Sequence, residues 1–397
     1  MTTEKFFQEI KGLDSRPCFL LGNGINRYLQ DNSLSWADLL MQVADEHDKN
    51  SKSKQNEQIK EYLRQKTTDP DIANYPEIYT SILVGTSMHK HNDKIKHKIK
   101  SYFKSKIEKS CYLLDYAKAN NLQILTTNYD FAIEEKLGFC SANPRTHRTI
   151  EDNRNNTYSL FDFFAKNVPA RRKCVFEGNG EINDAYVIGE HCAVWHVHGH
   201  VNRPKTILIG IEDYIDLIIY IRSKILRGKG NRFAEPWEDG SLATNTWLRP
   251  FFTRPLIIAG LTLGSCELPL RWLLLRRARA RLDGKCIPQA YYLDSEGETE
   301  KTKFRRELFR RMGIEYVSFG NRKNLYENDS WRILAKGIHG KKGIIEIHKE
   351  NKQHETNSLH IVFPLPSVHP VGCDARDQCL RQVPVAMGWE DRRHLFA

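Results

Sequence analysis

An α/β fold carrying a doubly wound, mostly parallel sheet is what the sequence predicts, and two observations predict it. Short apolar runs at residues 18–21, 122–125, 193–197, 206–209, 256–259, 289–293 and 314–317 have the length and near-continuous hydrophobicity of strands buried on both faces. Helical stretches at 213–226, 241–252, 267–281 and 301–312 alternate with the later runs, and that alternation builds parallel sheets.

Taken in order, the first run stops at Gly22-Asn23-Gly24, the pattern of a buried strand turning sharply into a helix. Ser35 is placed to N-cap a second helix running to about His47, with Trp36, Leu39, Leu40 and Val43 on its buried face. Residues 48–74 are polar and rich in Lys and Gln. Residues 92–119 then read as one long helix, with Ile95, Ile99, Tyr102, Phe103 and Leu113 near helical spacing. Residues 48–118 therefore read as a helical module inserted between the first two strands. The lysines filling the rest of that helix have the usual meaning of a solvated face, which is held over a nucleic-acid surface.

Within a second, polar insertion at 139–192, residues 141–183 are rich in Asn, Arg and Asp, with Phe161, Phe163 and Phe164 as anchors. They read as an excursion over the mouth of a site. The α/β rhythm defines a catalytic domain over 1–320. It fades in an extension at 321–397, where 343–348 and 359–363 are candidate strands.

The chain has 397 residues, enough for an ample core, and 60 Lys plus Arg against 49 Asp plus Glu give a net charge of +11. That balance permits a polyanionic partner but describes a field, not an activity. Nine cysteines without a Cys-x-x-Cys pair indicate neither a zinc cage nor a disulfide framework. No signal-like amino terminus and no run near the ~20 apolar residues of a membrane span are present, so a soluble cytoplasmic protein is the expectation.

The chemistry-bearing residues stand where the apolar runs end. Thr127-Asn128-Tyr129-Asp130 follows the second run and puts an amide and a carboxylate at a strand's carboxyl edge, where open α/β sheets bind ligands. Alone, such a motif is an ordinary helix cap. Gly22 and Gly24 let a backbone approach a phosphate, but Arg27 stands where a full dinucleotide fingerprint has its third glycine, so an ordinary dehydrogenase is not supported. Gly260-Leu261-Thr262 repeats the strand, glycine and hydroxyl arrangement after a later strand. His196, His198 and His200 have a spacing that suggests a metal. Gly199 is expected to end the strand, and no further ligand stands at the next spacing, so no metal is expected. His196 reads as a satisfied core histidine and His198 as the one facing a ligand.

In order, Gly22-Asn23-Gly24-Ile25-Asn26, residues 35–40, Thr127-Asn128-Tyr129-Asp130, His198-Gly199 and Gly260-Leu261-Thr262-Leu263 resemble the sirtuin superfamily, and more narrowly the sirtuin-like NAD hydrolases of bacterial antiphage defence. The resemblance covers about residues 17–320. It implies a Rossmann-like domain in which Gly22, Asn23, Gly24 and Asn26 cover NAD, with Thr127, Asp130, Gly260 and Thr262 also contacting it. It further implies that Asn128 and His198 serve the reacting ribose as catalytic residues, with Asp130 near the nicotinamide. Deacylating sirtuins usually carry Ala and Ser where Asn23 and Asn26 stand, Gln where Thr127 stands, and a four-cysteine zinc module absent here. Those departures point away from peptide deacylation and leave glycosidic cleavage intact.

The expected function is hydrolysis of the nicotinamide–ribose bond of NAD, depleting the cell of NAD in defence, with NAD as substrate and no metal. The alternatives are an NAD-dependent deacylase or ADP-ribosyl transferase, and a non-catalytic nucleotide-sensing, DNA-associated module. An enzyme that empties the cell of NAD must be held quiet. A homo-oligomer and a HerA-type DNA-translocating ATPase partner are therefore expected, with the Arg-lined helix at 267–281 and the apolar segments after Gly340 as contact surfaces.

Overall fold

The computed structural model describes residues 1–31, 33–51, 56–65, 74–84, 88–103, 107, 109–138, 185–188, 192–202, 204–222, 235–238, 246–264, 267–297 and 299–336. All the described residues belong to one compact unit within Met1–Glu346. The candidate strands at 343–348 and 359–363, and residues 139–184 of the polar insertion, lie outside the described residues.

Among the described residues seven strands form one sheet: β1 (Cys18–Leu21), β2 (Gln123–Thr126), β3 (Ala185–Ile188), β4 (Cys192–His196), β5 (Leu256–Ala259), β6 (Ala290–Asp294) and β7 (Ile314–Ser318). Their order is β3-β4-β2-β1-β5-β6-β7. Every neighbouring pair is parallel except β3 against β4. Without the antiparallel edge strand, the order is third, second, first, fourth, fifth, sixth, the doubly wound arrangement whose direction reverses between β1 and β5. The expected mostly parallel, Rossmann-like sheet is what the chain forms.

Alternation along these strands divides the core between two faces. Cys18, Leu20, Leu125, Leu256 and Ile258 pack on one side against the helices α9 (Ile211–Tyr220), α10 (Leu248–Thr253), α11 (Leu268–Leu282) and α12 (Glu300–Arg311). Phe19, Leu21, Ile124, Ile257 and Ala259 pack on the other against α1 (Thr3–Lys11), α2 (Asn23–Leu29), α7 (Tyr112–Ala119), α8 (Ala132–Leu137) and α13 (Arg322–Tyr326). Leu325, Tyr326 and Trp331 are buried in this second face, so the compact domain runs past the boundary expected at residue 320.

α3 (Trp36–Ser51) is the helix expected after Ser35, and the insertion that follows it is helical, as expected, with α4 (Glu57–Gln65), α5 (Tyr75–Leu83) and α6 (Met88–Tyr102). Ser35 caps α3: its Oγ accepts from the Asp38 N–H at 3.1 Å and donates to Asp38 Oδ2 at 2.6 Å. The single helix expected over 92–119 is two, because its halves serve different cores. Ile95 and Ile99 of α6 pack with the insertion, while Leu113 and Leu114 of α7 pack under the sheet, and Cys111 between them is extended at φ −148°.

The strand expected at 206–209 is also absent. A short 3-10 turn, Pro204–Thr206, precedes Ile207, Leu208 and Ile209, whose side chains are buried in the cores. A short apolar run reports burial without specifying strand pairing. Ile207 and Ile209 join Tyr129 and Val201 against Leu39 and Val43 of α3 and Tyr79 and Ile99 of the inserted helices.

The Arg-lined helix, expected as a contact surface, uses three of its arginines internally. Arg277 donates to the carbonyls of Phe251, Arg254 and Pro288, Arg276 pairs with Glu235, and Arg281 donates to Gln289 and Gly313. No helix among the described residues is long and apolar enough to cross a membrane.

Candidate active site

Strand register builds the site. Leu21 pairs with Thr126 on one side and Ala259 on the other, Thr126 pairs with His196, and Ala259 pairs with Leu293. Gly22, Thr127, Val197, Gly260 and Asp294 therefore emerge together at the carboxyl edge of the sheet, around the β1/β5 reversal. A cavity of about 500 Å³ opens there, within the ~300–1,000 Å³ of small-molecule sites.

Asn23, Gly24, Asn26, Thr127, Asn128, Gly260 and Thr262 of the predicted residues line this cavity; Gly22, Asp130 and His198 do not. The glycines are required by a contact between two turns. The Gly24 N–H donates to the Gly260 carbonyl at 2.7 Å, and the Gly22 N–H donates to the Ala259 carbonyl at 3.0 Å. A Cβ at Gly24 would stand 2.5 Å from Gly260 Cα, and one at Gly22 would stand 2.5 Å from Gly260 O. Gly260 also has φ +66°, and its Cβ would meet Ile25 N at 2.8 Å and Tyr326 Oη at 2.7 Å. Gly260→Ala is expected to cost at least the ~1–3 kcal/mol of left-handed strain, plus the clash. Gly284→Ala, at φ +76° with no atom within 4 Å, should cost the strain alone. Urea unfolding of the two variants measures the difference, and equal losses would contradict the packed turns.

Three side chains form one directed network below the cavity. Asn26 Nδ2 donates to Asp130 Oδ1 at 2.6 Å, and Asn128 Nδ2 donates to Asn26 Oδ1 at 2.8 Å and toward Gly22 O at 3.4 Å. Burial raises the Asp130 carboxyl to about 6, opposed by the Asn26 hydrogen bond, in which its Oδ1 is the acceptor. That polarity fixes Asn26, which fixes Asn128 with its amide nitrogen committed and Oδ1 left as the side chain's acceptor.

His196 has the satisfied role expected of it: Nδ1 lies 2.7 Å from the Asn128 carbonyl and Nε2 lies 2.6 Å from Glu134 Oε1. Burial disfavours its charged form, but Glu134 outweighs burial and raises its pKa. His198 Nδ1 meets the Tyr214 hydroxyl at 3.4 Å. Among the described residues no group of three or more His, Cys, Asp or Glu side chains is placed to hold a metal ion.

The remaining walls were not assigned from sequence. α3 supplies Trp36 and Leu39 and the insertion supplies Tyr75 and Phe103, with Trp36 stacked on Tyr75 at 5.9 Å and edge-on to Tyr129 at 6.0 Å. The opposite end holds Asp294, Glu296 and Arg305, with Arg305 3.3 Å from Asp294 Oδ2 and 3.4 Å from Glu296 Oε2. Arg27, Glu267 and Arg322 also line the cavity. An acidic residue just past a strand was the one available signal for Asp294.

Compared with protein-family models and with curated protein sequences, the chain matches none.

Proposed function

We propose that this protein is an NAD hydrolase that cleaves the nicotinamide–ribose bond and releases nicotinamide and ADP-ribose. The observation that carries the reading is the Asp130–Asn26–Asn128 network beneath a cavity at the strand reversal, the place where doubly wound sheets take dinucleotides. Cleavage makes an oxocarbenium-like centre, and catalysis consists of holding the ribose still and admitting one water at the reacting carbon. Asn128 Oδ1 accepts a hydrogen bond from that water and so aims its oxygen. Asp130 acts through Asn26 by keeping the amide chain pointed one way. His198 is buried behind the cavity wall and supports the step from there. Trp36, Tyr75 and Tyr129 give the cavity aromatic surface for a ring, and Arg27 and Arg322 supply positive charge for a diphosphate.

The sirtuin-like resemblance and the defence role belong to this reading. So do a homo-oligomeric state and a HerA-type ATPase partner, for which the exposed Leu268, Leu275 and Leu282 of α11 offer apolar contact surface. The test is purified full-length protein mixed with NAD, with products followed by chromatography and mass by light scattering. Nicotinamide release from NAD alone is expected. Binding without release would favour a sensing module, and release only with an acyl-lysine peptide would favour a deacylase. A strictly monomeric protein fully active alone would refute control by assembly.

A further inference from the structure

Glu267 is the N-cap residue of α11 and lines the cavity, yet it is only 3% exposed. Among the described residues its Oε2 has no hydrogen-bond partner. Nor does Nε2 of His198, 1% exposed, and these two atoms lie 3.9 Å apart. That separation is too long for a hydrogen bond. A structural ion pair would have closed it, and a buried carboxyl and imidazole left unsatisfied side by side are the kind of cost that proteins retain at working sites.

The other nitrogen of His198 is occupied by Tyr214 from α9, whose ring centroid is 5.1 Å from the imidazole. Only Glu267 of the pair lines the cavity, so the route from His198 to a ligand passes through its carboxyl group.

We propose that Glu267 is a further catalytic residue of this site, taking the proton of the attacking water, with His198 as its positioning residue. The inference rests on the NAD hydrolase reading. In the step, the bond between the ribose C1′ and the nicotinamide nitrogen breaks and its electron pair stays on the nicotinamide, which leaves neutral. The water oxygen bonds to C1′, and the water's proton passes to the Glu267 carboxylate and from there to solvent. Water and NAD are consumed, and nicotinamide, ADP-ribose and one proton are produced.

Burial raises the Glu267 carboxyl to about 8 and lowers the His198 imidazole to about 3. Among the described residues, the titratable group standing against Glu267 is His198, with Tyr214 beyond it. A base works in its unprotonated form, so kcat/KM for NAD should climb about tenfold per pH unit below about 8 and level off above it.

Steady-state nicotinamide release by the full-length protein between pH 6 and 9.5 tests this, with Glu267→Gln, Glu267→Asp and His198→Gln beside the wild type. Glu267→Gln should lose about 10²- to 10⁴-fold in kcat with KM changed only a few-fold, and should lose the rise with pH. Glu267→Asp should keep the rise at reduced kcat, and His198→Gln should move its midpoint. A Gln variant within tenfold of wild type at every pH would overturn the assignment while leaving NAD hydrolysis standing. A flat wild-type profile would do the same without any variant having to fold. A wild type inert on NAD would overturn the hydrolase reading and the Glu267 role with it.

Discussion

Replacing Asn128 with alanine is expected to lower nicotinamide release from NAD by ~10²–10⁴-fold in a protein that remains folded, the loss typical when a group that directs proton transfer or the nucleophile is removed. Its amide nitrogen is held by Asn26, and Asn26 is held by the Asp130 carboxylate, so Oδ1 is presented in one orientation. Alanine removes that acceptor. It also leaves Asn26 Oδ1 without its donor inside the protein, which costs about 1–3 kcal/mol. That is a fraction of the ~5–15 kcal/mol that holds a domain folded. Circular dichroism should therefore show a folded protein with a lowered melting temperature, and calorimetry should still detect NAD binding. A folded variant turning over NAD near the wild-type rate would remove Asn128 from the mechanism.

The sheet was legible because its strands carry their own punctuation. Residues 18–21 end at Gly22 and residues 256–259 end at Gly260, and parallel pairing of the two strands brings those ends level. The residues after them could thus be proposed as one site without knowing the strand order. The purpose of the glycines was read incompletely. Sequence suggested phosphate approach, whereas the structure has Gly24 and Gly260 backbone in direct contact, and both explanations exploit the same missing Cβ.

What could not be read is whatever depends on a partner far away in sequence. Glu267 looks like any acidic residue at a helix start; its meaning comes from His198, brought to it by a different strand. Trp36 reads as a core-facing residue of the Ser35-capped helix, because helical spacing gives the buried face and not what that face meets. Residues 206–209 show the same limit. Their hydrophobicity announced burial, but Ile207 and Ile209 are buried against α3 and the inserted helices and Leu208 beneath the sheet, none of them in a strand.

That junction between insertion and sheet domain sets the second large effect. Lys96 of α6 donates to Asp213 of α9 at 3.1 and 2.9 Å, with side chains only 2% and 5% exposed. Asp213 also accepts from the backbone N–H groups of Ile209 and Gly210, so one carboxylate fixes α6, the start of α9 and the buried segment 206–210 before it. Lys96→Met keeps most of the buried stem but leaves the carboxylate without its cation. Removing one partner of such a pair costs ~3–5 kcal/mol. Lys98→Met breaks the pair with Glu46, but Lys98 is 54% exposed, so ~0–1 kcal/mol is expected. The Tyr129 hydroxyl donates to the Leu208 carbonyl at 2.6 Å beside this junction, and Tyr129 lines the cavity, so a loosened junction reaches the aromatic wall. Urea unfolding should thus show a large loss for Lys96→Met and almost none for Lys98→Met, with KM for NAD raised in the first alone. Equal stabilities for the two variants would mean that the Lys96–Asp213 pair does not hold the insertion to the sheet.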